Sequence, residues 1–131
     1  MGGTMKYVQR TGVITDEGGH VVAIGWAGHD EGRNNPDMQD HMSLGPLPVG
    51  KYKFGPWGDH ETVEDYPAHL GPMISSLIQV EGETFGRSGF FMHGPGGVNP
   101  LQSSRGCIEV YRPERNKIHT LDPEFLEVVS G

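Results

Sequence analysis

The chain has 131 residues, 21 of them glycine and 10 proline, with 10 basic against 17 acidic side chains and a formal charge of −7. That length suits one modest hydrophobic core, so a single domain spanning residues 1–131 is expected, mainly β, with loops taking an unusual share of the chain. The acidic balance repels phosphate backbones and argues against nucleic acid, and the longest apolar run, Val21-Val22-Ala23-Ile24, falls far short of the ~20 residues of a membrane span.

The first residues run straight into an alternating segment and offer no apolar stretch of signal-peptide type. Synthesis in the cytoplasm without a signal peptide is therefore expected. Apolar residues then alternate, or come in short runs between Gly/Pro clusters, which predicts strands at 6–11, 20–27, 50–54, 76–80, 89–93 and 107–110. Six short strands suggest a β-sandwich or barrel. Polar loops separate them at 28–36 and 55–67, and loops that long in a small domain often serve function. Residues 113–118 predict one short helix with Pro113 in its first turn, and the β-branched and aromatic residues 125–129 predict a closing strand.

Chemistry concentrates where the strand ending in His93-Gly94 is followed, after a Gly/Pro-rich loop, by the strand starting at Gly106-Cys107. The ends of two neighbouring strands can bring an imidazole to the sole cysteine. A thiol becomes a useful nucleophile at neutral pH when an adjacent imidazole stabilises or accepts its proton, so Cys107 and His93 form a minimal nucleophile–base pair. The carbonyl of Gly94 can orient the ring, and the N–H groups of Gly106 and Cys107 can hold an oxyanion. The alternative is structural: free cysteines are among the most buried residues, and a histidine at a strand end is as often only a hydrogen-bonded one.

His93-Gly94 followed by Ser104-Arg105-Gly106-Cys107-Ile108 resembles the active-site signature of L,D-transpeptidases, cysteine enzymes acting on peptidoglycan stem peptides. Four further stretches are similar to the L,D-transpeptidase-like effectors of bacterial type VI secretion. They are Ala27-Gly28-His29, Gly32-Arg33-Asn34-Asn35-Pro36, the run from Gly45-Pro46 to Lys51-Tyr52, and the run from Gly86-Arg87 to His93-Gly94. The likeness extends over about residues 7–129 and keeps its motifs in order. It departs at Arg105, where many L,D-transpeptidases carry histidine.

The resemblance implies a compact L,D-transpeptidase-like β domain in which Cys107 attacks the carbonyl of the third stem residue and expels the terminal D-alanine. Water then completes an L,D-carboxypeptidase reaction, and an amine completes a transpeptidation or D-amino-acid exchange, with His93 shuttling the proton. Substrate contacts are expected from Ser104, from Arg105 and Arg87, whose guanidinium forks match carboxylates, and from His29 and Asn35 at the cleft rim. Tyr52, Trp57 and Tyr66 are candidates for a groove wall. The implied partners are peptidoglycan stem peptides, a cognate immunity protein and a component of the secretion machine, with action in the periplasm of a target cell. No cofactor is expected. The seven histidines lack the local ligand pairs of a zinc site, so no metal is expected, leaving a metal-dependent hydrolase and a non-enzymatic binding module as the rival readings.

Overall fold

The structure, a computed structural model, describes residues 2–42, 44–95 and 106–131. Among these residues the strands are β1 (Thr4–Val8), β2 (Val13–Thr15), β3 (Val21–Ile24), β4 (Trp26–Ala27), β5 (Gly50–Phe54), β6 (Ser75–Gly82), β7 (Phe90–His93), β8 (Ile108–Glu109) and β9 (Phe125–Val129). They form one sheet in the order β3-β2-β1-β9-β5-β6-β7-β8-β4, with one helix, α1 (Arg112–Leu121), before β9.

Period-two alternation decides which face is buried. Met5 and Tyr7 of β1, Tyr52 and Phe54 of β5, and Leu126 and Val128 of β9 point into the core, while Lys6, Lys53 and Glu127 face out. The closing strand expected from the C-terminal residues is central rather than peripheral. It pairs parallel with β1, Met5 opposite Leu126, and antiparallel with β5, Tyr52 opposite Leu126. Each fully buried side chain of this size contributes roughly 1.5–3 kcal/mol, so the β1–β9 pairing ties the first and last strands into the core.

The sheet is nearly closed, and the segment 20–27 shows why. Its two halves, β3 and β4, occupy opposite ends of the strand order yet are separated in sequence only by Gly25. The Gly25 N–H continues the β2 side by donating to Gly12 O at 2.8 Å, while a Cβ at Gly25 would lie 2.5 Å from the Glu109 carbonyl at the end of β8. A side chain there would push the two ends apart. The single strand expected at 20–27 is thus one strand bent at a glycine corner, which leaves no long open edge.

Two other expectations are corrected. The first strand, expected over 6–11, ends at Val8, where the chain turns, Gly12 N–H bonding to Val8 O at 2.7 Å, and returns as the short β2. The helix expected over 113–118 runs for ten residues and stops at Asp122, a left-handed residue (φ 52°) whose N–H reaches Ile118 O and His119 O. Its buried Arg115 and Ile118 lie three apart on one face, and the helix packs on β3. No helix among the described residues is long and apolar enough to cross a membrane.

Candidate active site

β7 lies between antiparallel β6 and parallel β8, with Met92 opposite Ile108 and His93 opposite Glu109. Extending that register by one residue sets Cys107 level with Phe91, and the Phe91 N–H does donate to Cys107 Sγ at 3.3 Å. Alternate residues of a strand share a face, so the sulfur and the imidazole stand on the same side of the β7–β8 pair. Both line one cleft of about 500 Å³, walled also by Phe91, Ser88, His69 and Leu70. The structure therefore brings together the two side chains that the sequence reading singles out.

The imidazole is 6% exposed, and its Nδ1 lies 2.7 Å from Gly94 O. A carbonyl oxygen only accepts, so the proton belongs on Nδ1 and the basic lone pair on Nε2. Burial holds the imidazole below its ordinary protonation range, Arg115 and His69 add to that, and the Gly94 hydrogen bond opposes it. Cys107 is half-buried, with its Sγ 3.8 Å from Gly89 O. Burial pushes the thiol up to about 11; the Phe91 N–H opposes this, the fully buried Glu109 reinforces it, and Arg87 opposes it. At neutral pH the pair rests as thiol and neutral imidazole. Such a pair can transfer its proton as the sulfur attacks, rather than beforehand.

Two buried arginines frame the pair. Arg87, 5% exposed, donates to the carbonyls of Gln39, Pro46 (2.8 Å) and Gly45 (2.9 Å), with its guanidinium 5.5 Å from the Phe90 ring centroid. Arg115, 4% exposed, donates to Val110 O at 2.6 Å, Met73 O at 2.9 Å and Pro72 O at 3.3 Å. Each guanidinium presses on one of the glycines beside the pair. A Cβ at Gly106, which has φ +120°, would lie 2.4 Å from Arg87 Nη2, and one at Gly94 would lie 2.5 Å from Arg115 Nη1. Both positions exclude side chains because a cation fills the space that a Cβ needs.

Arg87, expected as a carboxylate clamp, lines the cleft but also turns toward the backbone. Three of its donors go to backbone carbonyls, and its charge acts on the sulfur. Asn35 sits in a loop, where its side chain accepts from Asp37 N–H to cap a 3-10 turn and donates to Glu31 O. His29 is half-buried beside Asp30, and neither it nor Asn35 lines the cleft formed by the described residues. Ser104 and Arg105 lie outside the described residues. Of the aromatic groove candidates, Tyr52 is in the core with its hydroxyl on Pro48 O, and Trp57 stacks on Phe54. Tyr66 backs the cleft indirectly, edge-on to Phe91 at 5.2 Å.

Sequence reasoning missed His69, Ser88 and Leu70 as cleft residues. His69 and Leu70 sit on the 3-10 turn Ala68–Leu70 of the long β5–β6 loop, and only tertiary placement reveals them. Among the described residues no three His, Cys, Asp or Glu side chains are grouped to hold a metal ion.

In comparisons with known proteins, a family model described as the Tlde1 domain matches residues 22–129, which takes in the corner at Gly25, both strands of the site and the closing strand. It is a domain of type VI secretion effectors directed at peptidoglycan. No curated protein matches the chain.

Proposed function

The chain belongs to the Tlde1 domain family, and from that premise we propose that it is a single-domain cysteine enzyme, an L,D-carboxypeptidase and L,D-transpeptidase acting on the tetrapeptide stems of peptidoglycan. The observation that carries this reading is the shared cleft of Cys107 and His93, with Nδ1 tied to Gly94 O so that Nε2 is the basic nitrogen.

Cys107 Sγ attacks the carbonyl carbon at the L-centre of diaminopimelate while its proton passes to His93 Nε2. The N–H groups of Gly106 and Cys107, adjacent in sequence to the sulfur, serve the developing oxyanion. Collapse of the tetrahedral species breaks the amide, and the imidazolium returns the proton to the nitrogen of the departing D-alanine. The thioester then yields to water, giving a tripeptide stem, or to the amine of a D-amino acid or a second stem, giving exchange or a cross-link. His93 takes the proton from either nucleophile and returns it to the sulfur. In this reading the protein acts in the periplasm of a target cell, reaching it by type VI secretion, and a cognate immunity protein protects the producer.

Incubation with disaccharide tetrapeptide is expected to give disaccharide tripeptide and free alanine by mass spectrometry. Cys107→Ala and His93→Ala are expected to abolish that conversion, and a chelator to leave it intact. A tetrapeptide left unchanged by folded protein under reducing conditions contradicts the reading. Conversion that survives Cys107→Ala but stops with chelator selects the metal-dependent hydrolase instead.

A further inference from the structure

Two clefts flank His93. The second, also about 500 Å³, is walled by Pro72, Gly94, Tyr111, Arg112 and Arg115, and the two clefts share His69, Leu70 and His93. The chain carries 17 acidic side chains and a charge of −7, yet among the described residues no Asp or Glu lines either cleft. Basic side chains line both. In an acidic molecule, two adjoining clefts without carboxylates and with arginines and imidazoles in their walls favour an anionic ligand.

Not every cation there is available to one. Arg87 and Arg115 are buried, and each gives three of its five N–H donors to backbone carbonyls. Arg112 is exposed at the start of α1, and its Nε donates to Asn116 Oδ1 at 3.3 Å within the helix. Among the described residues its terminal nitrogens make no hydrogen bond. His69 is exposed on its turn and lines both clefts beside His93. Resting on the peptidoglycan reading above, we infer that His69 and Arg112 bind a carboxylate of the stem peptide and set the enzyme's preference for acidic over amidated stems. A guanidinium offers paired donors to a carboxylate, and an imidazole at the seam reaches a ligand that spans both clefts. Two carboxylates of the stem share this chemistry, the side-chain carboxylate of diaminopimelate and the terminal carboxylate of D-alanine.

The test is a calorimetric titration of Cys107→Ala protein, which is expected to bind stems without turning them over, using the tetrapeptide, its side-chain amide and its C-terminal amide. His69→Gln and Arg112→Gln, each added to Cys107→Ala, are expected to weaken tetrapeptide binding about five- to tenfold, the effect of losing one charge-assisted hydrogen bond. They should leave binding of one of the two amides unchanged, which identifies the carboxylate that is read. Arg112→Lys should recover part of the loss. Binding of all three peptides that is unaffected by both substitutions, or the absence of tetrapeptide binding, overturns the inference. Turnover by the unsubstituted protein separates this outcome from the reading it rests on. Alanine release with unaffected binding in the variants removes only the carboxylate site, while binding that needs His69 and Arg112 without alanine release removes only the cysteine chemistry.

Discussion

Arg87 and Arg115 are the same device used on two sides of one pair. Each is buried, each donates to three backbone carbonyls, and each fills the space beside a glycine that adjoins the cysteine or the histidine. Their electrostatic consequences differ because their neighbours differ. Beside a thiol, the charge of Arg87 favours the ionised form and opposes the upward push of burial. Beside an imidazole, the charge of Arg115 favours the neutral form and reinforces the downward push of burial. One cation thus eases the loss of a proton from sulfur, and the other keeps the base free to receive it. A buried arginine near a cleft is therefore poor evidence of a substrate clamp until its donors have been traced.

The largest expected effect falls on the pair itself. Cys107→Ala should lower kcat/KM by about 10³-fold or more, and His93→Ala by about 10²–10⁴-fold, as measured by alanine release. The framing arginines come next. Arg87→Gln and Arg115→Gln each strand several buried carbonyls, and urea unfolding should register a loss of about 3–5 kcal/mol. Changes in pH separate the two arginines. His93 must be neutral to accept a proton, and because burial lowers its value the acid limb of activity should fall below the ordinary imidazole midpoint. Removing the cation in Arg115→Gln should move that acid limb upward; the same change at Arg87 should leave the limb in place and make iodoacetamide labelling of Cys107 need still higher pH. An acid limb that shifts equally in both variants would break the contrast.

The glycines should rank below the arginines. Gly106→Ala combines a positive φ with a contact to Arg87 and should cost about 2–3 kcal/mol, while Gly94→Ala meets only the Arg115 fork and should cost about 1–2 kcal/mol, read from thermal or urea melts. The smallest effect is at Asn35. Asn35→Ala removes a turn cap and should cost about 1 kcal/mol of stability while leaving kcat/KM within about twofold.

What was legible in the sequence was what local pattern encodes. Strand 50–54 alternates cleanly and is followed by Gly55-Pro56, and the structure gives it those bounds. The strand ending in His93 was legible for the same reason, and the one expected at 107–110 shortens to Ile108–Glu109, with Cys107 just before it. The rest depends on distant contacts. The partners of Arg87 lie 41 to 48 residues away, so nothing around it in sequence shows that it turns inward. β2 has only three residues, too few for alternation to show, and the corner at Gly25 has meaning only once β8 is beside it. His69 is one histidine among seven until the long loop folds over β7.

The most direct test is the intact mass of the protein quenched in acid during turnover of disaccharide tetrapeptide. The neutral thiol–imidazole pair predicts an adduct equal in mass to the substrate less alanine, carried on Cys107 and missing from Cys107→Ala. Alanine released with no adduct in a rapid-quench series, or an adduct that persists in Cys107→Ala, would contradict it.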